Sequence, residues 1–133
     1  MFRLEKRYAD EMIAHARAEA PNECCGVLAG QNGKITKLFR AKNAERSPTR
    51  YNIDSRELLK IYQEIEENGW ELLGIYHSHV RSRAYPSATD VQLALWPDSI
   101  YFIVSLMDER VPQIRVFRIV DGVVGEEELE VEG

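Results

Sequence analysis

The run Gly74-Ile-Tyr-His-Ser-His-Val-Arg-Ser-Arg-Ala-Tyr-Pro-Ser-Ala-Thr-Asp90 constrains this chain more than any other segment. His77 and His79 stand two residues apart at the end of an apolar strand, so both imidazoles leave the same face of a sheet. Asp90 follows in the first turn of what reads as the next helix, and the intervening loop can fold back to bring its carboxylate to the histidines. Two nitrogens and an oxygen converging on one point make a candidate zinc site. Three protein ligands with one position left open is the coordination of a catalytic zinc ion; a structural one is closed. Ser87-Ala-Thr-Asp90 also matches a capping box, in which the serine caps the helix and the aspartate reaches back. With only two cysteines in the chain, a Cys-rich zinc site is excluded, so any metal is held mainly by His and carboxylate.

The remaining pattern is that of a single domain over residues 1–133. Lys6–Ala20 carries Tyr8, Met12, Ile13 and Ala16 at helical spacing and stops at Pro21. Cys24–Gly30 is a short apolar run between turn residues, expected as a buried strand opened by Glu23. Lys34–Phe39 alternates as its hairpin partner across Gln31-Asn32-Gly33. Asn43–Arg50 reads as a polar loop and Tyr51–Ile53 as a short extended piece. Asp54 or Ser55 caps a helix running to about Asn68, with Gly69 as its stop. Glu71–His77 reads as a strand, Ser87 to about Leu95 as a short helix, and Ser99–Leu106 as a buried strand. Gln113–Val120 and Val123–Val131 form a closing hairpin around Asp121-Gly122. Helices interrupting a mainly β chain give an α+β, or mixed α/β, fold around one sheet.

Charge and composition remove several function classes. The net charge is −5, and the five glutamates of residues 126–133 account for all of it, leaving a neutral body with an acidic tail. A nucleic-acid binder needs a surplus of Lys and Arg to neutralise phosphates, so that class is not expected. No stretch approaches the ~20 apolar residues of a membrane span, so no membrane partner is expected either. Cys24 and Cys25 are adjacent and cannot close an ordinary disulfide loop, which points to a reducing, cytoplasmic location. They read as small buried hydrophobes, with a redox switch as the alternative. The third histidine, His15, lies in the first helix and reads as a surface or packing residue.

Hydrolysis also needs a base, and Glu23 is the candidate: a charge at the mouth of an apolar strand is otherwise poorly placed unless it sits at an exposed strand end. With these residues in view, Asn22-Glu23-Cys-Cys-Gly-Val-Leu-Ala-Gly30, Gly74-Ile-Tyr-His-Ser-His79 and Pro86-Ser87-Ala-Thr-Asp90 resemble the JAMM (MPN+) family of zinc metallopeptidases. The family pattern is a distant Glu followed by His-x-His-x7-Ser-x2-Asp. The likeness covers nearly the whole chain. It is strongest to the short prokaryotic members, including those acting on sulfur-carrier conjugates, which Asn43-Ala-Glu-Arg-Ser-Pro48 and Phe117-Arg-Ile-Val-Asp-Gly122 also resemble.

The resemblance implies a single curved, mainly antiparallel sheet flanked by helices, of cytidine-deaminase-like architecture. It implies that His77, His79 and Asp90 ligate one Zn²⁺, that Glu23 acts as base and then acid, and that Ser87 hydrogen-bonds the oxyanion. In that role the Ser87 hydroxyl is expected to compete with its capping role. The implied substrate is the amide or isopeptide bond after the C-terminal Gly-Gly of a ubiquitin-like or sulfur-carrier protein, releasing an amino acid such as cysteine or a lysine-linked protein. Arg81, Arg83 and Tyr85, in the loop Val80–Pro86, are expected to line the substrate's path. The alternative is a non-catalytic scaffold of the same fold used for protein binding. The chain is too short for the inserts of larger, linkage-selective relatives.

Overall fold

A computed structural model describes residues 1–133. Its elements, in chain order, are β1 (Phe2–Glu5), α1 (Lys6–Glu19), β2 (Cys25–Gln31), β3 (Lys34–Ala41), α2 (Ser55–Glu67), β4 (Glu71–His79), α3 (Ala88–Gln92), β5 (Ile100–Ser105), β6 (Gln113–Val120), β7 (Val123–Glu127) and β8 (Leu129–Glu132). Six strands form one sheet in the order β3-β2-β4-β5-β6-β7, antiparallel throughout except for the parallel pair β4–β5. This is the mixed α/β fold expected from the sequence.

The central strands read as continuous apolar runs because both faces of the sheet are covered. On one face, Leu4, Tyr8, Met12 and Ala16 pack with Cys24, Leu28, Tyr76, Phe102 and Val104. On the other, Ile61 and Ile65 of α2 pack with Cys25, Val27, Ala29, Ile75 and Tyr101. Strand alternation thus sends the adjacent cysteines to opposite cores, and both are free. Burial pushes the Cys24 thiol up to about 12 and the Cys25 thiol higher still, which suits inert packing and not redox chemistry. Gly26 is required by close approach: a Cβ there would lie 2.2 Å from the Tyr76 ring. That ring is held in turn by a 2.7 Å hydrogen bond between its hydroxyl and Nδ1 of buried His15, so His15 is a packing residue.

Two expectations are corrected, and one strand is added. Phe2–Glu5, to which the sequence assigned no element, form β1, which pairs in parallel with β8. The expected long final strand Val123–Val131 is broken at Glu128, whose carbonyl accepts the Phe2 N–H at 2.8 Å, so Leu129–Glu132 of the acidic tail join a separate two-stranded sheet while Glu126 and Glu127 stay in β7. The third helix ends at Gln92, three residues short of the expected end. No helix is long and apolar enough to cross a membrane.

Candidate metal centre

Strand order brings the site together. In the β2–β4 ladder Cys25 faces His77, and the Ser78 N–H donates to the Cys24 carbonyl at 3.2 Å. Carrying this antiparallel register two residues further sets Glu23 beside His79. Ser78 points away from the histidines, fully buried, and its Oγ accepts the Cys24 N–H at 2.8 Å. It therefore ties the two strands together under the site.

The loop after β4 is anchored at several points. The Ser105 hydroxyl donates to the Ser82 carbonyl at 2.6 Å, and the Arg83 carbonyl lies 2.8 Å from His79 Nδ1. Tyr85 packs edge-on to Phe117 at 5.3 Å, with the Arg83 guanidinium 4.8 Å over its ring. Arg115, which pairs with Glu126, approaches the same ring at 5.9 Å. The chain then enters α3 through a complete capping box. Ser87 Oγ accepts the Asp90 N–H at 3.0 Å, and Asp90 Oδ2 accepts the Ser87 N–H at 2.9 Å. This box fixes the Asp90 carboxylate toward β4.

Asp90 Oδ2 lies 3.1 Å from His77 Nε2 and 2.9 Å from His79 Nε2, and the two nitrogens are 3.2 Å apart. All three side chains are buried, with residue exposures of 1%, 4% and 7% for His77, His79 and Asp90. The hydrogen-bonding roles do not close among the three. With His79 Nδ1–H donating to Arg83, the neutral ring presents a lone pair at Nε2, aimed at a carboxylate oxygen and at the His77 ring. His77 Nδ1 is buried with no partner at all. A cation bound between the three atoms resolves the opposed lone pairs. Ligands of a tetrahedral ion with bonds of ~2.0 Å stand about 3.3 Å apart, close to the spacings found, and these three residues alone form a convergent metal-ligating cluster in the chain.

What replaces a hydrogen bond for His77 is a ring. Tyr51 stacks on it with centroids 4.3 Å apart and planes inclined by 18°. The sequence marked Tyr51 only as part of an extended piece; its one signal was an aromatic residue closing an otherwise polar loop.

Electrostatics follow from burial. Glu23 is 3% exposed, and its Oε1 has no partner. Desolvation, with Asp90 adding to it and His79 opposing, raises its carboxyl to about 8. Burial lowers the His77 pKa. Burial opposes the charged form of His79 as well, but its contacts to Asp90 and the Arg83 carbonyl prevail and raise it. For Asp90 the desolvation that would raise it is outweighed by the two imidazoles, which hold it below the usual carboxylate range.

A cleft of about 540 Å³ opens beside this centre, lined by Glu23, Pro48, His79, Arg81, Ser82 and Ser87 among others. Of the three residues expected along the substrate's path, Arg81 lines it. Arg83 and Tyr85 do not: their side chains are engaged with each other and with β6, and Arg83 serves the site through its backbone carbonyl. The expected competition at Ser87 is also corrected. Capping uses an oxygen lone pair, which leaves the hydroxyl hydrogen free to donate.

Residues 5–120 match the family of prokaryotic homologs of the JAB domain. The CysO-cysteine peptidase of Mycobacterium tuberculosis is 48% identical over 122 residues, covering 90% of this chain and 84% of that one. A protein of Thermus thermophilus, described as a probable TtuB-protein conjugate cleaving protease, is 39% identical over 88 residues, covering 65% and 59%. Among solved structures, DSY2949 of Desulfitobacterium hafniense superposes with a TM-score of 0.89 at 37% identity, covering 99% of this chain and 93% of its own. With the His-x-His and Asp ligand atoms convergent at the end of β4 and the family match spanning nearly all the elements, this chain belongs to the prokaryotic JAB-domain family.

Proposed function

We propose that this chain is a zinc-dependent peptidase that hydrolyses the amide bond after the C-terminal Gly-Gly of a ubiquitin-like or sulfur-carrier protein. The observation that carries the reading is the convergence of His77 Nε2, His79 Nε2 and Asp90 Oδ2 within about one ion's reach, next to the buried, unpartnered carboxyl of Glu23. The names of two relatives, a CysO-cysteine peptidase and a probable TtuB-protein conjugate cleaving protease, support the substrate class.

His77, His79 and Asp90 would hold Zn²⁺, which when bound supplies a Lewis acid and brings water ionisation down towards pH ~7. Glu23 takes the proton of the attacking water and returns it to the leaving nitrogen. Burial favours the protonated form of this carboxyl and a bound cation favours its carboxylate, and these opposed influences suit a group that takes up a proton and then returns it. Ser87 donates its free hydroxyl hydrogen to the oxyanion of the tetrahedral intermediate. Arg81, at the cleft wall, lines the approach of the carrier tail, whose glycines need little width.

The test pairs metal analysis with cleavage of a Gly-Gly-terminated carrier fused to cysteine or to a lysine peptide. His77→Ala is expected to lose both zinc and activity. Glu23→Gln is expected to keep one zinc per chain and lose at least about a hundredfold in kcat. Undiminished cleavage by Glu23→Gln refutes the base, and a metal-free, inactive wild type under zinc-replete conditions refutes the enzyme.

A further inference from the structure

A second recess, of about 430 Å³, shares Glu23 with the cleft but is otherwise differently lined. Its cations are Arg40, Lys42 and Arg46, its other acids Glu19 and Glu57, and Ala41 is its only apolar residue. Resting on the reading of Glu23 as proton donor to the leaving nitrogen, we propose that this recess receives the leaving group. We further propose that it is built for a single amino acid, whose free α-carboxylate is held by Lys42 and Arg46.

Four observations lead there. Glu23 lines both the cleft with Ser87 and this recess, so if the acyl half of the bond occupies the cleft, the recess is the second space open to the amine half. Arg40 is already paired with Glu11 at 2.6 Å, whereas Lys42 and Arg46 have no carboxylate partner. The loop that carries these two cations is tied to the Glu23 backbone: the Asn43 amide donates to the Glu23 carbonyl at 3.1 Å, and the Glu23 N–H donates to the Ser47 carbonyl at 2.8 Å. Arg46 is held with φ +47° in that turn, a left-handed conformation uncommon outside glycine, Asn and Asp. Its N–H donates to the Asn43 carbonyl, and the Asn43 side-chain oxygen accepts the N–H groups of Glu45 and Asn52. Charged side chains of both signs around a recess with a single apolar residue suit a small zwitterion. A protein attached through a lysine side chain presents no α-carboxylate to the two free cations.

The reaction balances as simple hydrolysis. Water oxygen bonds to the glycyl carbonyl carbon, the C–N bond breaks with its electron pair on nitrogen, and the water's proton passes through Glu23 to that nitrogen. Carrier carboxylate and free amino acid result, with nothing oxidised or reduced.

The experiment uses the zinc-loaded full chain and one Gly-Gly carrier in three forms: extended by alanine with a free carboxylate, by alanine amide, and joined to the Nε of a lysine in a peptide. The free acid is expected to be cleaved about ten- to a hundredfold faster in kcat/KM than the other two, as befits charge-assisted hydrogen bonds. In the double variant Lys42→Ala, Arg46→Ala the preference is expected to collapse, with the loss falling on the free acid and chiefly in KM. Equal rates for acid and amide in the wild type, or a variant that slows all three alike, overturns the inference while leaving the peptidase reading intact. Failure of the wild type to cleave any of the three overturns both.

Discussion

Glu23→Gln should leave the metal-free protein progressively more stable than the wild type as pH rises. The Glu23 carboxyl has an ordinary value of 4.5 and is raised to about 8 in the fold. Below 4.5 the group is protonated whether the chain is folded or not, and it makes no difference to stability. Between 4.5 and 8 the unfolded chain releases the proton while the folded chain keeps it. Each pH unit there then removes about 1.4 kcal/mol of folding free energy. By pH 7 the loss reaches about 3 kcal/mol, and above 8 it levels off. Glutamine has no such transition. Its amide carries its own burial penalty, but one independent of pH, so the quantity to read is the change in the gap between variants and not the gap itself. For a chain of this size 1 kcal/mol moves Tm by roughly 4 °C, so the gap should widen by about 10 °C between pH 4.5 and pH 7. Thermal unfolding followed by circular dichroism, in chelator, at half-unit steps from pH 4.5 to 8.5 measures it. Adding zinc should flatten the profile, because a nearby cation favours the carboxylate. Parallel wild-type and Glu23→Gln curves in chelator would refute the burial of an unpaired, protonated Glu23.

The other expectations concern single contacts. Tyr51→Leu should weaken zinc binding about tenfold, because the stack is what orients His77 where a hydrogen bond to Nδ1 is missing, while Tyr51→Phe should bind normally; a competing chromophoric chelator reads both. Ser87→Ala should lower kcat by 10²–10³ through the lost oxyanion donor and lower stability by only about 1 kcal/mol through the lost cap, so kinetics and unfolding separate its two roles. Gly26→Ala should destabilise by about 3 kcal/mol by driving the Tyr76 ring off His15, which denaturant titration measures.

The parts of this molecule legible in the sequence are those whose cause is local or periodic. The His-x-His pair declared its face by strand alternation, and Ser87-Ala-Thr-Asp90 declared its helix start by capping chemistry. The apolar runs at β2 and β5 announced strands covered on both sides. β1 was not legible because four residues of mixed polarity acquire strand geometry only from a partner at the opposite end of the chain, Phe2 opposite Leu129. Arg83 and Tyr85 were placed in the cleft by proximity along the chain. Their actual partners, Phe117 and Arg115, sit on a strand that no local signal connects to the loop. Tyr51 likewise gains its role only by contact with His77 across the fold. Glu23 was found through its pairing with a motif far along the chain, and the register of two neighbouring strands makes that pairing physical.

The same structure also locates the centre without reference to any motif. Two buried side-chain atoms in the protein lack a hydrogen-bond partner, Glu23 Oε1 and His77 Nδ1, and both are here. Native folds rarely tolerate such atoms, because each forfeits its hydration with nothing in return. A third conflict belongs to the same cluster of residues: the lone pair of a neutral His79 faces Asp90 Oδ2 at 2.9 Å. No other buried side-chain nitrogen or oxygen in the protein lacks a partner. Ser87 explains how the conflict is kept in place: its N–H grips the very Asp90 oxygen that both imidazoles face, so forming the first turn of α3 and aiming that oxygen at β4 are one event. A local helix-starting signal thereby holds a carboxylate against the lone pair of a neutral His79, an arrangement that a cation between them, or a proton on His79, relieves.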